Sequence, residues 1–544
     1  MFGSHKNLLS AVNSMNREMQ EQGTAEKAKI FGLPYINLYT FPIDLNVLGL
    51  FTETEARESE SVPFYGDGQD LRIGTMNPKN PLLQEKINEL LVKHKVNLYV
   101  ISKSSFEKTM GFYGKVVTPK AARDETVVVD STREFESVAA ALKDETVQTQ
   151  KSATELIGDI FGISMYLHAS DIHVEPEEHR VKVRFRIDGV LQDLIHINQS
   201  LRRSLTSRIK ILSKLKLNVE NLPQDGRITF YWGKDPIDVR VSTLPSSYGE
   251  GIVMRLLGTG ATNLKLNDLG FRGKAYQDIE CELEKPNGMI VTTGPTGSGK
   301  TTTLYAFLNE LNEPGVKIIT LEDPVEYKLA GIQQTPIDHS VDFNFAKGLR
   351  AILRQDPDIV MVGEIRDQET AETALQASLT GHIVLSTLHT NDASGAIPRL
   401  LTMGAKPYII APALNAIIAQ RLVRRLCETC KQPVDLDESL KARVERVLKA
   451  IPEKAEVKLP EKLEFKHSPG CKECHNLGYK GRIGIYEVLT VNDQMKELVL
   501  KQASLVEVKK QAISDGMVSM AQDGLLKALD GITDVEEVFR VAGE

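Results

Sequence analysis

The stretch V-T-T-G-P-T-G-S-G-K-T-T-T, from Val291 to Thr303, restricts the possible folds more than any other part of the chain. An apolar run, Gly288 to Val291, leads into Gly294, and after four more residues come Gly299, Lys300 and Thr301. The continuation, Thr302 to Leu308, is patterned as the start of a helix. Strand, glycine-rich loop and helix N-terminus in that order read as a phosphate-binding loop. Gly297 and Gly299 let the backbone wind with its N–H groups inward, so that several donors and a helix N-terminus converge on β- and γ-phosphates. The expected nucleotide contacts are Gly294, Pro295, Thr296, Gly297, Ser298, Gly299, Lys300, Thr301 and Thr302. Lys300 supplies a point charge and the Thr301 hydroxyl is placed to ligate Mg²⁺. The plain alternative, a glycine-rich turn before a helix, does not require the ordered strand and helix that flank it here.

A chain of 544 residues should hold about three or four domains. With 41% hydrophobic and 26% charged residues, each domain can build a core. The net charge of −7 argues against non-specific nucleic-acid binding as the main activity, because neutralising phosphates needs a basic face. No run of 18 apolar residues occurs, and Met1 to Gln22 is polar without a signal-peptide core. The chain is therefore expected in the cytosol, reaching any membrane through partners.

Residues 1–25 are polar, with Leu8, Leu9, Val12, Met15 and Met19 at helical spacing, and read as a mobile or loosely docked helix. Residues 26–113 alternate strand-like runs (Leu71 to Thr75, Asn97 to Ser102) with a helical one (Asn80 to His94), which predicts a small α/β domain. Residues 114–150 are charged, poor in bulky apolar side chains and contain Thr118-Pro119, and read as a linker. Residues 151–258 predict an α+β domain. A helix over Ser152 to Leu167 is followed by a strand over Val181 to Ile187 with its charges on one face, an Asp188-Gly189 hairpin turn and a return strand. Further strands follow at Ile228 to Trp232, Ile237 to Ser242 and Ile252 to Leu257. The basic helical segment Leu201 to Leu217 reads as a solvated or interface face rather than a nucleic-acid patch, given the acidic whole. A short connection, Gly258 to Leu266, leads to the nucleotide domain, residues 267–426.

Beyond the loop, Val316 to Leu321 ends in Glu322-Asp323-Pro324-Val325-Glu326, and Ile359 to Val362 ends in Gly363-Glu364-Ile365-Arg366. A third run, Ile383 to Thr387, lies between His382 and His389. Strands alternating with helices predict a parallel sheet with the acids at its carboxyl edge, where ligands bind in such folds. Two carboxylates beside one phosphate loop suit one Mg²⁺ and one attacking water, although a strand-end acid can also simply cap the next helix. Glu364 is expected to reach the metal through water. Either glutamate can be the general base on this reading.

Cys427-Glu428-Thr429-Cys430 and Cys471-Lys472-Glu473-Cys474 are two knuckles 40 residues apart. Paired thiolates from two such knuckles complete a closed tetrahedral Zn²⁺ site, a reading favoured over redox chemistry by the presence of two pairs. The charged, helix-prone segment Asp435 to Phe465 must then form an arm, giving a subdomain over 427–484 and a helical C-terminal part over 485–544. Cys281 is left over and reads as a plain buried residue.

These pieces together resemble the secretion ATPase superfamily, and within it the type II secretion and type IV pilus assembly motors. A-S-D-I-H-V-E-P, V-R-F-R-I-D-G-V-L, L-P-Q-D-G-R-I and D-V-R-V-S-T-L-P are similar to the family's second N-terminal domain, which is PAS-like. L-E-D-P-V-E-Y looks like its aspartate box and R-Q-D-P-D-I-V-M-V-G-E-I-R-D like its atypical second nucleotide motif. T-G-H-I-V-L-S-T-L-H-T-N-D-A resembles its histidine box, and A-Q-R-L-V-R-R-L-C with G-C-x-x-C and G-Y-K-G-R-I-G-I-Y-E its zinc-bearing insertion. G-L-P-Y-I-N-L and F-P-I-D-L are similar to the first domain, which lacks the R-L-G-x-x-L opening that binds cyclic dinucleotide in some members.

The resemblance implies an α/β fold: a RecA-like P-loop core, two smaller N-terminal domains and a tetracysteine zinc-binding insertion. It implies an ATP-hydrolysing homohexamer that drives an inner-membrane platform protein, with a docking protein engaged through the first domain. ATP, Mg²⁺ and Zn²⁺ are the implied cofactors, and the location is cytoplasmic, peripheral to the inner membrane through partners. It assigns Arg240 and Arg255 to phosphate contact, and Arg350, Arg354 and Arg366, with His382 and His389, to the neighbourhood of the nucleotide. Arg482 is a further candidate. Retraction motors lack the first domain and the cysteine pairs, so the chain looks like an assembly motor, for a pilus or a secretion pseudopilus. The alternative from another class is a nucleic-acid translocase on the same core.

Overall fold

The computed structural model describes residues 19–41, 43–66, 70–91, 95–113, 127–257 and 264–543. The expected helix over residues 1–18, the first part of the expected linker (114–126) and most of the connection at 258–263 lie outside the described residues. The chain divides into two compact units, one formed by Met1–Val127 with Lys210–Lys214 and the other by Val128–Ile209 with Leu215–Glu544.

In the first unit, strands Ser61–Gly66 and Asp70–Thr75 pair antiparallel, and Lys95–Val100 joins the second in parallel. Helix Pro81–Leu90 falls within the helical run expected over Asn80 to His94, and a second helix, Lys103–Met110, was not read from the sequence. Phe51, Phe64, Ile73 and Phe106 centre a core of this unit's own. Residues 19–31 are helical, and within them Glu21 is buried, accepting hydroxyl hydrogen bonds from Tyr35 and Ser102, each at 2.6 Å. That end of the expected N-terminal segment is docked.

The second unit begins with a mostly antiparallel sheet in the order Val128–Val129, Gln224–Trp232, Asp235–Ser246, Gly249–Leu257, Ala169–Pro176, Arg180–Ile187, Val190–Asn198. Arg180–Ile187 alternates as its sequence demands: Val181, Val183, Phe185 and Ile187 are buried, while Arg184 and Arg186 pair with Glu175 and Asp171 on the other face. Helix Ala153–Tyr166 covers the buried face and stacks Phe161 on Phe230 at 4.4 Å.

The expected linker is corrected here. Its described part carries strand Val128–Val129 and helices Phe135–Ala141 and Glu145–Thr149, and the strand adds to the sheet. Phe135 is buried over Gly162, where a Cβ would lie 1.9 Å from its ring. A single large apolar side chain meeting a glycine gap anchors a segment whose composition reads as linker.

The nucleotide domain holds a seven-stranded sheet in the order Gln333–Pro336, Ile318–Glu322, Ile359–Val362, Ile383–Leu388, Gly288–Thr293, Leu414–Leu426, Tyr479–Thr490. All neighbours are parallel except the last pair. Gly288–Thr293, Ile318–Glu322 and Ile359–Val362 are buried throughout, as expected of parallel strands covered on both faces. The boundary expected at 484 falls inside Tyr479–Thr490, which carries the sheet outward to the cysteine knuckles. The segment between the knuckles packs on the chain rather than standing clear of it. Val444, Val447 and Leu448 of helix Glu438–Lys449 share a core with Leu525 of Met520–Leu529 and Val538 of Val535–Ala542. Cys281 is exposed: on helix Gly273–Leu283 the buried positions are Ile279, Glu282 and Leu283, and residue 281 points elsewhere.

Candidate active site and metal centre

Strand Gly288–Thr293 delivers the chain into a loop over 294–299 and helix Lys300–Leu311 takes it away. Gly299 caps that helix in the left-handed region at φ 89°, with no side-chain capping bond, so the first-turn N–H groups face the loop's interior without a side-chain acceptor. Gly294, at φ 148°, leaves no room for a Cβ, which would lie 2.5 Å from the Gln420 carbonyl. Gln420, from the neighbouring strand, also donates its amide to the Ser298 carbonyl at 2.6 Å, bracing the loop from outside. The buried Ser298 hydroxyl has no hydrogen-bond partner among the described residues. The Lys300 ammonium donates to the Gly294 and Pro295 carbonyls at 2.8 and 3.1 Å. Burial lowers its pKa against the opposing pull of Glu364. Unbonded donors, a half-buried amine and a glycine cradle fit a polyphosphate.

The loop opens on a cavity of about 580 Å³, room for a nucleotide. Its walls include Thr296 to Thr302, Glu322, Glu364, Arg366, His389, Arg255 and Arg482. Glu322 ends its strand 3% exposed and accepts hydrogen bonds from three side chains: Tyr305, Thr320 and Gln334. Burial pushes its carboxyl pKa up, while those donors hold it back. Glu364 pairs with Arg366 at 2.6 Å, and His389 Nε2 lies 3.6 Å from its other oxygen. Burial and the Lys300 charge push the His389 pKa down, against the opposing pull of Glu364.

Two arginines arrive from the preceding sheet. Arg255 lines the cavity and donates Nε–H to Asp171 at 2.9 Å. Burial raises the Asp171 carboxyl, but its hydrogen bonds from Arg255 and Ser170 prevail and hold it below the usual range. Arg240 donates to the Val325 carbonyl at 3.1 Å and lies 3.3 Å from Glu326, a cavity-wall residue. Arg255 thus stands in the cavity wall of its own chain, while Arg240 reaches the segment that follows Glu322 and is not itself a wall residue.

Three expected residues lie elsewhere. His382 precedes strand Ile383–Leu388 at its amino end, its Nδ1 2.9 Å from the Ala377 carbonyl. The register pairs Gly288 with Ile383 and Thr293 with Leu388, so His382 lies about 20 Å of strand away from the loop edge. Arg350 pairs with Glu369 on the surface, and Arg354 donates to the Arg350 carbonyl, both outside the cavity walls. Tyr305 and Gln420 were not legible as site residues. The only sequence signal for Tyr305 is its position four after Thr301, on the same helix face.

The four cysteine sulfurs lie within 4.8 Å of one another. Cys427 to Cys471, Cys430 to Cys474 and Cys471 to Cys474 are 3.8, 3.9 and 3.7 Å apart. Four sulfurs at about 2.3 Å from one tetrahedral Zn²⁺ would stand about 3.8 Å from each other, so the donor set fits that ion. Burial pushes the Cys474 thiol up, but N–H donors from Cys471 and Gly478 prevail and hold its pKa at about 7.

A model of the type II/IV secretion system protein family matches residues 147–540, and a model of the MshEN domain matches residues 31–113. The type IV pilus assembly ATPase PilB of Myxococcus xanthus (strain DK1622) is 40% identical over 520 residues, covering 94% of this chain and 89% of its own length. The type II secretion system ATPase E of Vibrio cholerae serotype O1 is 43% identical over 471 residues, covering 85% of this chain and 91% of its own. The type II secretion system protein E of Pseudomonas aeruginosa is 47% identical over 413 residues, 74% of this chain and 80% of its own. Among solved structures, the DotB ATPase of Legionella pneumophila superposes with a TM-score of 0.51 at 21% identity, over 70% of this chain and 94% of that one, a likeness of fold.

Proposed function

Since the chain belongs to the type II/IV secretion system protein family, we propose that it is an ATPase whose turnover drives assembly of a type IV pilus or a type II secretion pseudopilus. One observation carries the reading: a single cavity gathers the phosphate loop, two strand-end glutamates and an arginine from the preceding domain. Lys300 leaves its own loop carbonyls to meet the phosphates, and the loop N–H groups hold them. Thr301 and Glu364 would hold Mg²⁺, Glu364 through water, and the ion when bound neutralises phosphate charge. Glu322 orients the attacking water and receives its proton as the phosphorus bond to the bridging oxygen breaks, releasing ADP and phosphate. His389 stands beside Glu364, and Arg366 holds that carboxylate. Arg255, released from Asp171, is free to meet the charge that develops at the phosphoryl group.

The tetracysteine cluster takes Zn²⁺ as a structural ion in this reading, supported by its sulfur spacing. The working form is a homohexamer that acts on an inner-membrane platform protein and sits at the cytoplasmic face of that membrane. The first N-terminal domain docks a partner there. Among the described residues no helix is long and apolar enough to cross a membrane, which suits attachment through partners.

Phosphate release with ATP and Mg²⁺ tests the site. Lys300→Ala is expected to abolish turnover and weaken nucleotide binding, whereas Glu364→Gln should bind ATP and lose turnover by about 10²-fold or more. Turnover near that of the parent in Lys300→Ala would move the chemistry away from this cavity.

A further inference from the structure

Tyr305 is completely buried, yet carries a hydroxyl that must find a partner. It lies on helix Lys300–Leu311 one turn after Thr301, facing the strand that ends in Glu322, and donates its O–H to Glu322 Oε2. On the other oxygen, Oε1, Glu322 accepts the Thr320 hydroxyl at 2.5 Å and the Gln334 amide at 3.1 Å. Gln334 is itself fixed: its amide also donates to the Tyr327 carbonyl at 3.1 Å, and its oxygen accepts the Leu329 N–H at 2.8 Å. Tyr327 meets the Tyr305 ring edge-on at 4.7 Å.

A carboxylate oxygen offers two acceptor positions. Among the described residues Oε1 holds two donors and Oε2 holds one, which leaves one acceptor position on Oε2. We propose that Tyr305 is a positioning residue for hydrolysis: with Thr320 and Gln334 it turns the Glu322 carboxylate so that a single acceptor position, on Oε2, is left for the attacking water. The same helix begins at Lys300 and Thr301, so one rigid element sets both the phosphate contacts and the direction of Glu322. This inference rests on the reading of Glu322 as the residue that orients the water.

The charged groups around Glu322 set the sign of its pH response. Glu326 and Asp323 follow on its own strand exit, and Tyr327 lies beyond them. Across the cavity stand Lys300, Glu364, Arg366, His389 and Arg255. Burial and the Glu326 charge raise the Glu322 carboxyl, and the three donors lower it. Tyr305 itself is pushed far up by burial and by the Glu322 charge, so it remains a neutral donor at any working pH. Removing its hydroxyl takes a donor from the charged form of Glu322, whose pKa must then rise.

The test is Tyr305→Phe in the full chain, alongside Glu322→Gln. Tyr305→Phe is expected to lower kcat by about 10–10²-fold with KM for ATP within about twofold, since it misdirects a reacting group without touching the nucleotide. The acid limb of its kcat profile should move up by about one pH unit. A merely structural role would leave that limb where it is. Should Tyr305→Phe lower the folded fraction, Gln334→Met, on the half-buried edge strand, carries the same expectation for the limb. An inactive Glu322→Gln with kcat and acid limb unchanged in Tyr305→Phe would overturn the positioning role alone. An active Glu322→Gln would overturn the reading of Glu322 and the inference with it.

Discussion

Arg240 and Arg255 are paired in register on neighbouring strands, yet their side chains meet different acids. Arg255 is held by Asp171 at the cavity wall, and Arg240 spans to Val325 and Glu326 within the aspartate box. An arginine brought to a developing phosphoryl charge can contribute roughly 10³-fold in rate, whereas an exposed ion pair contributes about 0–1 kcal/mol of stability. Arg255→Ala should therefore cut kcat by about 10²–10³-fold while leaving the unfolding midpoint near that of the parent. Arg240→Ala should act more weakly, through the closure of the cavity wall. Undiminished turnover in the double variant would assign both to ordinary ion pairing. The places of Lys300, Glu322 and Glu364 on the cavity wall could be read from sequence because each stands at or beyond the carboxyl end of a parallel strand. Tyr305 could not, because a buried tyrosine inside an apolar helix pattern looks like core until its partner is seen. His382 misled for the opposite reason: it flanks the same strand as His389, but only the carboxyl end of a parallel strand faces the loop.

Strand Tyr479–Thr490 links the two centres of the molecule. At its start, the Gly478 N–H donates to Cys474, and the Gly478 carbonyl accepts from Cys427 N–H at 3.0 Å. Further along, buried Glu487 accepts the Ala393 N–H, just after the loop that carries His389. Between the two, Arg424 of the partner strand is clamped by Glu537, which also binds Arg540. Burial opposes the charge on Glu537, but both guanidinium groups hold its pKa at about 2.

One Zn²⁺ per chain is expected, with a contribution on the order of 10 kcal/mol to the local fold, because four thiolates bind only when the knuckles are assembled. Cys471→Ser should release the metal by elemental analysis and speed amide exchange over 427–484, while the phosphate loop still binds nucleotide. Protein purified without chelator and free of zinc would return the pairs to redox chemistry. The knuckles were visible in the sequence as spacing alone. The seat of the segment between them was not, since it depends on apolar contacts with helices about 80 residues further along the chain.

At the scale of the whole molecule, the order of domains was legible because each change of hydrophobic period marks a change of architecture. The small mixed sheet lies within residues 61–100, the mostly antiparallel sheet within 128–257 and the mostly parallel sheet within 288–490. The described part of the linker was misread because composition registers the average residue, while Phe135 and Gly162 act as one specific pair. The sheet's outermost long strands were also missed as such, since Leu414–Leu426 and Tyr479–Thr490 pair across more than 50 residues of intervening chain. The proposed motor turns over ATP within a ring, the preceding domain closing the cavity as the walls approach. Turnover per chain measured against protein concentration, with the oligomeric state followed by sedimentation under the same conditions, tests that claim most directly. Phosphate release per chain is expected to rise steeply as hexamers form and to vanish across the whole range in Lys300→Ala. A monomer that hydrolyses ATP at the full rate, unchanged by assembly, would contradict it.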